Sequence, residues 1–198
     1  MRKKEQIILG SKVIEGGTYD EMNVMGELRV TSDIAVDDLN IMGEAVFTGN
    51  LTAKTVDILG QAETKNIKAE EINIAGILNA YGNVEATSFN SLGIVKITGD
   101  LNVDNAQIHI SPSKFNNIYG DKIEFVKAKK NINITNNAKN ISEINEIEAT
   151  TIRVTNCKIK KISGEDVAVY ENCEIETLEY SKRLSIAKDA KINKIIKF

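Results

Sequence analysis

Leu39-Asn40-Ile41-Met42-Gly43-Glu44-Ala45-Val46-Phe47-Thr48-Gly49-Asn50-Leu51-Thr52-Ala53-Lys54-Thr55 is the stretch whose reading decides the fold. Its apolar residues come in pairs two apart: Leu39 and Ile41, Ala45 and Phe47, Leu51 and Ala53. A period of two belongs to a strand whose alternate side chains face the same way. Three such strands, parted by turn residues, describe one triangular coil with the pairs inside and the residue between them outside.

The next stretch says the same thing again. Val56 and Ile58, Ala62 and Thr64, and Ile67 and Ala69 repeat the three pairs, with one residue missing between the second and third. Gly26, Gly43, Gly60, Gly76 and Gly93 mark a period of 17, shortened once to 16. Five units follow, running 22–38, 39–55, 56–71, 72–88 and 89–105. A repeat of this length means stacked coils, because one coil can neither bury its interior nor satisfy a backbone whose N–H and C=O groups point along the stack. The expected fold is an all-β solenoid of roughly 17-residue triangular coils, in three parts. Residues 1–21 form an N-terminal segment and cap, 22–105 a regular solenoid, and 106–198 a second, less regular one. Pro112, the only proline, marks the change, since proline is excluded from a central ladder. Within the second part, 126–145 reads either as an atypical coil or as an insertion, with Lys127 to Lys130 a solvated turn.

Two features of the coil carry expectations of their own. Gly49-Asn50, Gly82-Asn83 and Gly99-Asp100 precede an inward residue and read as corners tolerant of positive φ. Asn23, Asn40, Asp57, Asn73 and Asn90 share one outward position and read as an amide ladder climbing the stack.

Charge and composition exclude several functions. A net charge of -3 and a pI near 5.4 do not suit a protein that must neutralise nucleic-acid phosphates. The basic start Arg2-Lys3-Lys4 precedes only three apolar residues, Ile7 to Leu9, too few for a signal peptide or a membrane span, so a cytoplasmic location is expected. Cys157 and Cys173 fit free thiols in a reducing compartment, stacked in neighbouring coils as small core residues. No Cys/His cluster suggests a metal, and no cofactor is expected.

Catalysis finds no constellation in this sequence. His109 is the only histidine and alternates outward between Ile108 and Ile110. Asp37, Asp38, Asp57 and Asp104 do not make a carboxylate pair in adjacent coils, so they read as solvated surface. The strict six-residue steps of hexapeptide acyltransferases and the flat threonine ranks of ice-binding solenoids are both missing.

The repeat resembles the bactofilins, the polymer-forming cytoskeletal proteins of bacteria, and among them the longer Gram-positive variants. The resemblance rests on Gly16-Gly17-Thr18-Tyr19, on steps such as Val24-Met25-Gly26 and Ile41-Met42-Gly43, on the Gly-Asn/Asp-Leu/Val corners, and on Ile162-Ser163-Gly164-Glu165-Asp166-Val167. It implies a right-handed parallel β-helix that polymerises end to end without a nucleotide. The partners it implies are further copies of the chain, the inner face of the membrane through Arg2, Lys3 and Lys4, and envelope or motility proteins.

Physical reasoning points to the same use of the ends, where unpaired strand edges and an apolar cross-section invite another coil. The candidates are Ile7, Ile8, Leu9 and Tyr19 at one end, and Ile192, Ile195, Ile196 and Phe198 at the other. These residues either dock a second copy or cap a monomer. Two further readings of the whole chain stay open: a carbohydrate-active or ligand-binding β-helix with an outer groove, and a monomeric adaptor presenting a rigid face.

Overall fold

Every inward pair of the quoted coil lands inside. In the computed structural model, which describes residues 3–109, 111–127 and 140–198, Leu39, Ile41, Ala45, Phe47 and Leu51 are buried and Ala53 packs partly buried against them. About eleven such coils stack into a single all-parallel β-solenoid. The strands do not all stop at corners: Glu44–Ile58 runs 15 residues across three faces. We name the faces by their pairs in that coil: the first carries Leu39 and Ile41, the second Ala45 and Phe47, the third Leu51 and Ala53.

Register holds the interior together. Leu39 lies beside Val56 and Ile41 beside Ile58, then Val56 beside Ile72 and Ile58 beside Ile74. Like side chains therefore stack on like in columns about 4.8 Å apart, and each large one contributes roughly 1.5–3 kcal/mol by leaving water. The 16-residue unit causes no loss of phase. Its missing residue is absorbed at a corner, where the register slips between Phe47 and Asn50 and recovers at once.

The stack starts earlier than the sequence pattern suggests. Lys3–Ile8 pairs with the Gly17–Val24 strand and Ser11–Ile14 with Glu27–Val30, so the segment read as a cap supplies a coil of its own. Its irregular composition hid it, because Gln6 and Lys12 occupy the positions that Met22 and Leu28 fill in the next coil. The boundary at 105 is likewise no break in the sheet, since Ile94–His109 runs across it.

Around Pro112 side chains take over the ladder. Ser113 Oγ accepts the Val95 N–H at 3.0 Å, Ser111 and Ser113 hydroxyls lie 2.8 Å apart, and Ser142 Oγ donates to the Ser111 carbonyl at 2.8 Å. Three buried serines thus satisfy one another where the backbone bends away. Ser142–Val154 then pairs directly on Lys114–Val126, with Phe115 beside Ile144. No coil lies between those two strands, which favours the insertion reading of 126–145; residues 128–139, with Ala128 to Lys130 of the expected turn, lie outside the described residues.

The corner glycines have a different reason from the expected one. Positive φ occurs at Gly16 and Gly17, and at Asn156 and Asn172 in the second half, but at none of Gly49, Gly82 or Gly99. What demands glycine there is crowding: a Cβ on Gly49 would overlap the Ser32 and Asp33 backbone, and one on Gly99 the Gly82 backbone.

Candidate assembly surfaces

Two ladders of polar side chains climb the outside. On the first face the Asn40 amide donates to Asn23 Oδ1 at 3.0 Å, Asn73 to the Asp57 carboxylate at 2.9 Å, and Asn90 to Asn73 Oδ1 at 3.1 Å. The expected column is there. A second ladder, which the sequence reading took only for turn residues, follows the corner between the second and third faces. Asn50 donates its backbone N–H and its amide to Asp33, Asn66 donates to Asn50, the Asn83 N–H to Asn66, and the Asp100 N–H to Asn83. Asn117 and Asn145 extend it past the Pro112 corner at 2.9 Å each. The Asn50 N–H holds the Asp33 carboxyl below its ordinary value. Such ladders fix register at the corners, because each side chain reaches only the coil beside it.

The two ends differ in chemistry. In the first coil Ile8 and Tyr19 point inward and are buried, the Tyr19 hydroxyl reaching the Gly16 carbonyl at 3.4 Å. Ile7 stands in the outward amide column beside Asn23, and Leu9 projects from the corner. The inward positions also include Gln6 and Lys12, so this end is partly polar. Arg2 lies outside the described residues; Lys3 and Lys4 belong to the first strand by their backbone.

At the other end the inner columns stay open. Ile192 stacks on Ile175 and Ile195 on Leu178, and Ile195 remains 48% exposed, with no coil over it among the described residues. Leu184 and Ile186 complete this apolar cross-section, stacked on Val167 and Val169. Ile196 pairs with Glu179 and faces outward, while Phe198, 68% exposed, projects from the corner beyond Tyr180. Two of the four expected residues thus lie on the open end, with Leu184 and Ile186 added. The last coil carries all three faces, with Leu184 and Ile186 on the first, Ile192 on the second and Ile195 on the third, so following the inward pairs through its first face finds the two added residues.

Two of the four outer aspartates have partners. Asp37 pairs with Lys54 at 3.1 Å and Asp57 accepts from Asn73. An open groove of about 750 Å³ runs along the second face of the later coils. Two of its three carboxylates have lysine partners, Lys114 with Glu143 at 3.1 Å and Lys191 with Glu174 at 3.5 Å. No group of three metal-ligating side chains occurs among the described residues, and no described helix is long and apolar enough to cross a membrane.

Cys157 and Cys173 are buried free thiols in adjacent coils. Burial pushes the Cys157 thiol well above its ordinary value and the Cys173 thiol up to about 11. Burial disfavours both thiolates and shields both sulfurs, so neither is expected to react in the folded protein. A colourless aromatic disulfide added to the native protein should release no thiolate chromophore, and both thiols should titrate after denaturation. Release from the native protein would mean that these coils open readily.

His109 is half-buried, and its Nδ1 has no hydrogen-bond partner among the described residues. Burial lowers the imidazole pKa below 6.5. The unfolded chain then takes up the proton first as pH falls. Stability from this group is therefore complete above about pH 6.5 and is lost progressively as pH drops toward the folded value. The melting temperature of His109→Gln relative to the parent should rise as pH is lowered from 7 to 5, and a difference that ignores pH would remove the effect.

Comparison with protein-family models, with curated proteins and with solved structures returned no match.

Proposed function

We propose that this chain is a structural scaffold that assembles with itself end to end, without a nucleotide, in the manner of the bactofilins it resembles. The observation that carries this reading is the open end. Leu184, Ile186, Ile192 and Ile195 stand in inner columns with no coil above them among the described residues, over strands whose outer edges have no described neighbour. An uncovered edge over an apolar cross-section takes another β-coil, because stacking buries the side chains and pairs the backbone in one step. Enzymatic chemistry is not part of the proposal, and the cytoplasm remains its setting.

Negative-stain microscopy of the purified protein at neutral pH tests it. Long polymers should form above a critical concentration. In Ile192→Arg/Ile195→Arg, which buries two cations in the joint, that concentration should rise at least about tenfold, the equivalent of some 1.4 kcal/mol per joint. Monomers at every concentration, or polymers indifferent to the double substitution, would sink the reading.

A further inference from the structure

Leu9, Met25, Met42, Leu59, Ala75 and Leu92 each precede a corner glycine at the end of the first face. They form one column. The N–H groups of Met25, Met42, Leu59, Ala75 and Leu92 all bond the carbonyl of the last inward residue one coil below, Ile8, Val24, Ile41, Ile58 and Ile74 in turn. The five large side chains are 47% to 74% exposed. Five coil steps give a straight apolar ridge about 24 Å long. The fold does not demand apolar residues here, for the same corner carries His109 and Thr155 in later coils. Isolated exposed leucines need no explanation, but a continuous exposed line of them marks a contact surface.

We propose that this ridge pairs with the same ridge of a second copy, the two solenoids lying side by side and antiparallel. The flanks argue for a copy over an anionic bilayer. Along one side run Asn23, Asn40, Asp57, Asn73 and Asn90, and along the other Ser11, Glu27, Glu44, Gln61, Ile77 and Ile94. These carboxylates repel acidic headgroups. Across an antiparallel pair, however, Asp57 faces Asn40 and Glu44 faces Gln61, so each meets an amide donor. Only Glu27 meets an apolar neighbour, Ile77, and it does so at the rim, where its carboxylate stays in water.

Spacing and size add to this. A ridge with one residue per coil is matched in period by another such ridge, so each side chain meets a partner at its own height. The antiparallel register sets Leu9 opposite Leu92, Met42 opposite Leu59 and the long Met25 opposite Ala75, where a parallel register would leave Ala75 facing Ala75 across a gap. The contact is a single convex line, smaller than a standard stable interface, so the pair is a weak one that multiplies along a polymer. It does not depend on end docking.

Disulfide trapping decides it, with the native thiols buried out of reach. Leu9→Cys and Leu92→Cys proteins, each also carrying Ile192→Arg/Ile195→Arg to block end contacts, are oxidised singly and as an equal mixture. The mixture should give a covalent dimer and neither protein alone should, since like positions lie about 24 Å apart in the pair. Adding Met42→Glu/Leu59→Glu, both on the surface and with an unchanged circular-dichroism spectrum as the check on folding, should reduce the dimer at least tenfold. Dimer from Leu9→Cys alone, no dimer in the mixture at high concentration, or a yield unmoved by the glutamates would each overturn the proposal. So would a mixture that gives no dimer but floats with phosphatidylcholine vesicles in a ridge-dependent way, which would assign the ridge to lipid.

Discussion

Gly60→Ala should destabilise the protein by about 3 kcal/mol, a large cost for one methyl group. The added Cβ would overlap the carbonyl oxygen of Gly43 in the coil below, with the Met42 backbone close beside it. Both obstacles are backbone in a hydrogen-bonded stack, where Gly60 N–H donates to the Ile41 carbonyl at 3.0 Å and Gln61 N–H to Gly43 at 2.9 Å. Neither can move without opening the ladder. Gly10→Ala is the matching control: it stands at the same corner, but a Cβ there meets nothing within 4 Å, so its effect should stay within about 0.5 kcal/mol. Thermal melts of the two variants followed at 218 nm check the pair, and equal effects would mean that the crowding does not govern this corner.

Phe89→Ala should cost about 3–5 kcal/mol. Phe89 is fully buried on the first face, between Ile72 on one side and Ala106 on the other. Ala106 is too short to fill the space left behind, and rigid ladders above and below prevent the coils from closing on it. The cavity therefore persists and its cost adds to the lost transfer energy. Tyr81→Ala, at an exposed corner, removes a side chain of similar size and should change the urea midpoint little. Comparable shifts for the two would show that the ring at 89 is not part of a close-packed column.

Which parts of the molecule could be read from residues alone follows from how local each determinant is. The faces were open to inspection because Val56 and Ile58, or Ile67 and Ala69, announce their direction within three residues. The amide column was found for the same reason, as Asn40 and Asn73 sit between inward partners. The corner ladder was not, although Asn50, Asn83 and Asp100 stand out as corner residues, because each bonds a residue 17 away and its partner exists only once the register is set. The ends were half found. Ile192 and Ile195 follow the inward period, whereas Ile196 and Phe198 are apolar without following it, and alternation sends Ile196 outward. The exposed ridge escaped because residues before the corner glycines lie outside any alternating strand, so period two assigns Met25 and Met42 no side.

The direct pairing of Lys114–Val126 with Ser142–Val154 has a practical meaning. Phe115 and Ile144 are 29 residues apart in the chain yet adjacent in the stack, so this corner already carries surplus sequence without a fault in the columns around it. Elsewhere a guest peptide would need to respect a 16- or 17-residue phase. Between Lys127 and Asn140 it would not, because Val126 and Ser142 keep their places in the register whatever length of chain joins them. The molecule thus contains its own splice port, at a known position along a graduated axis.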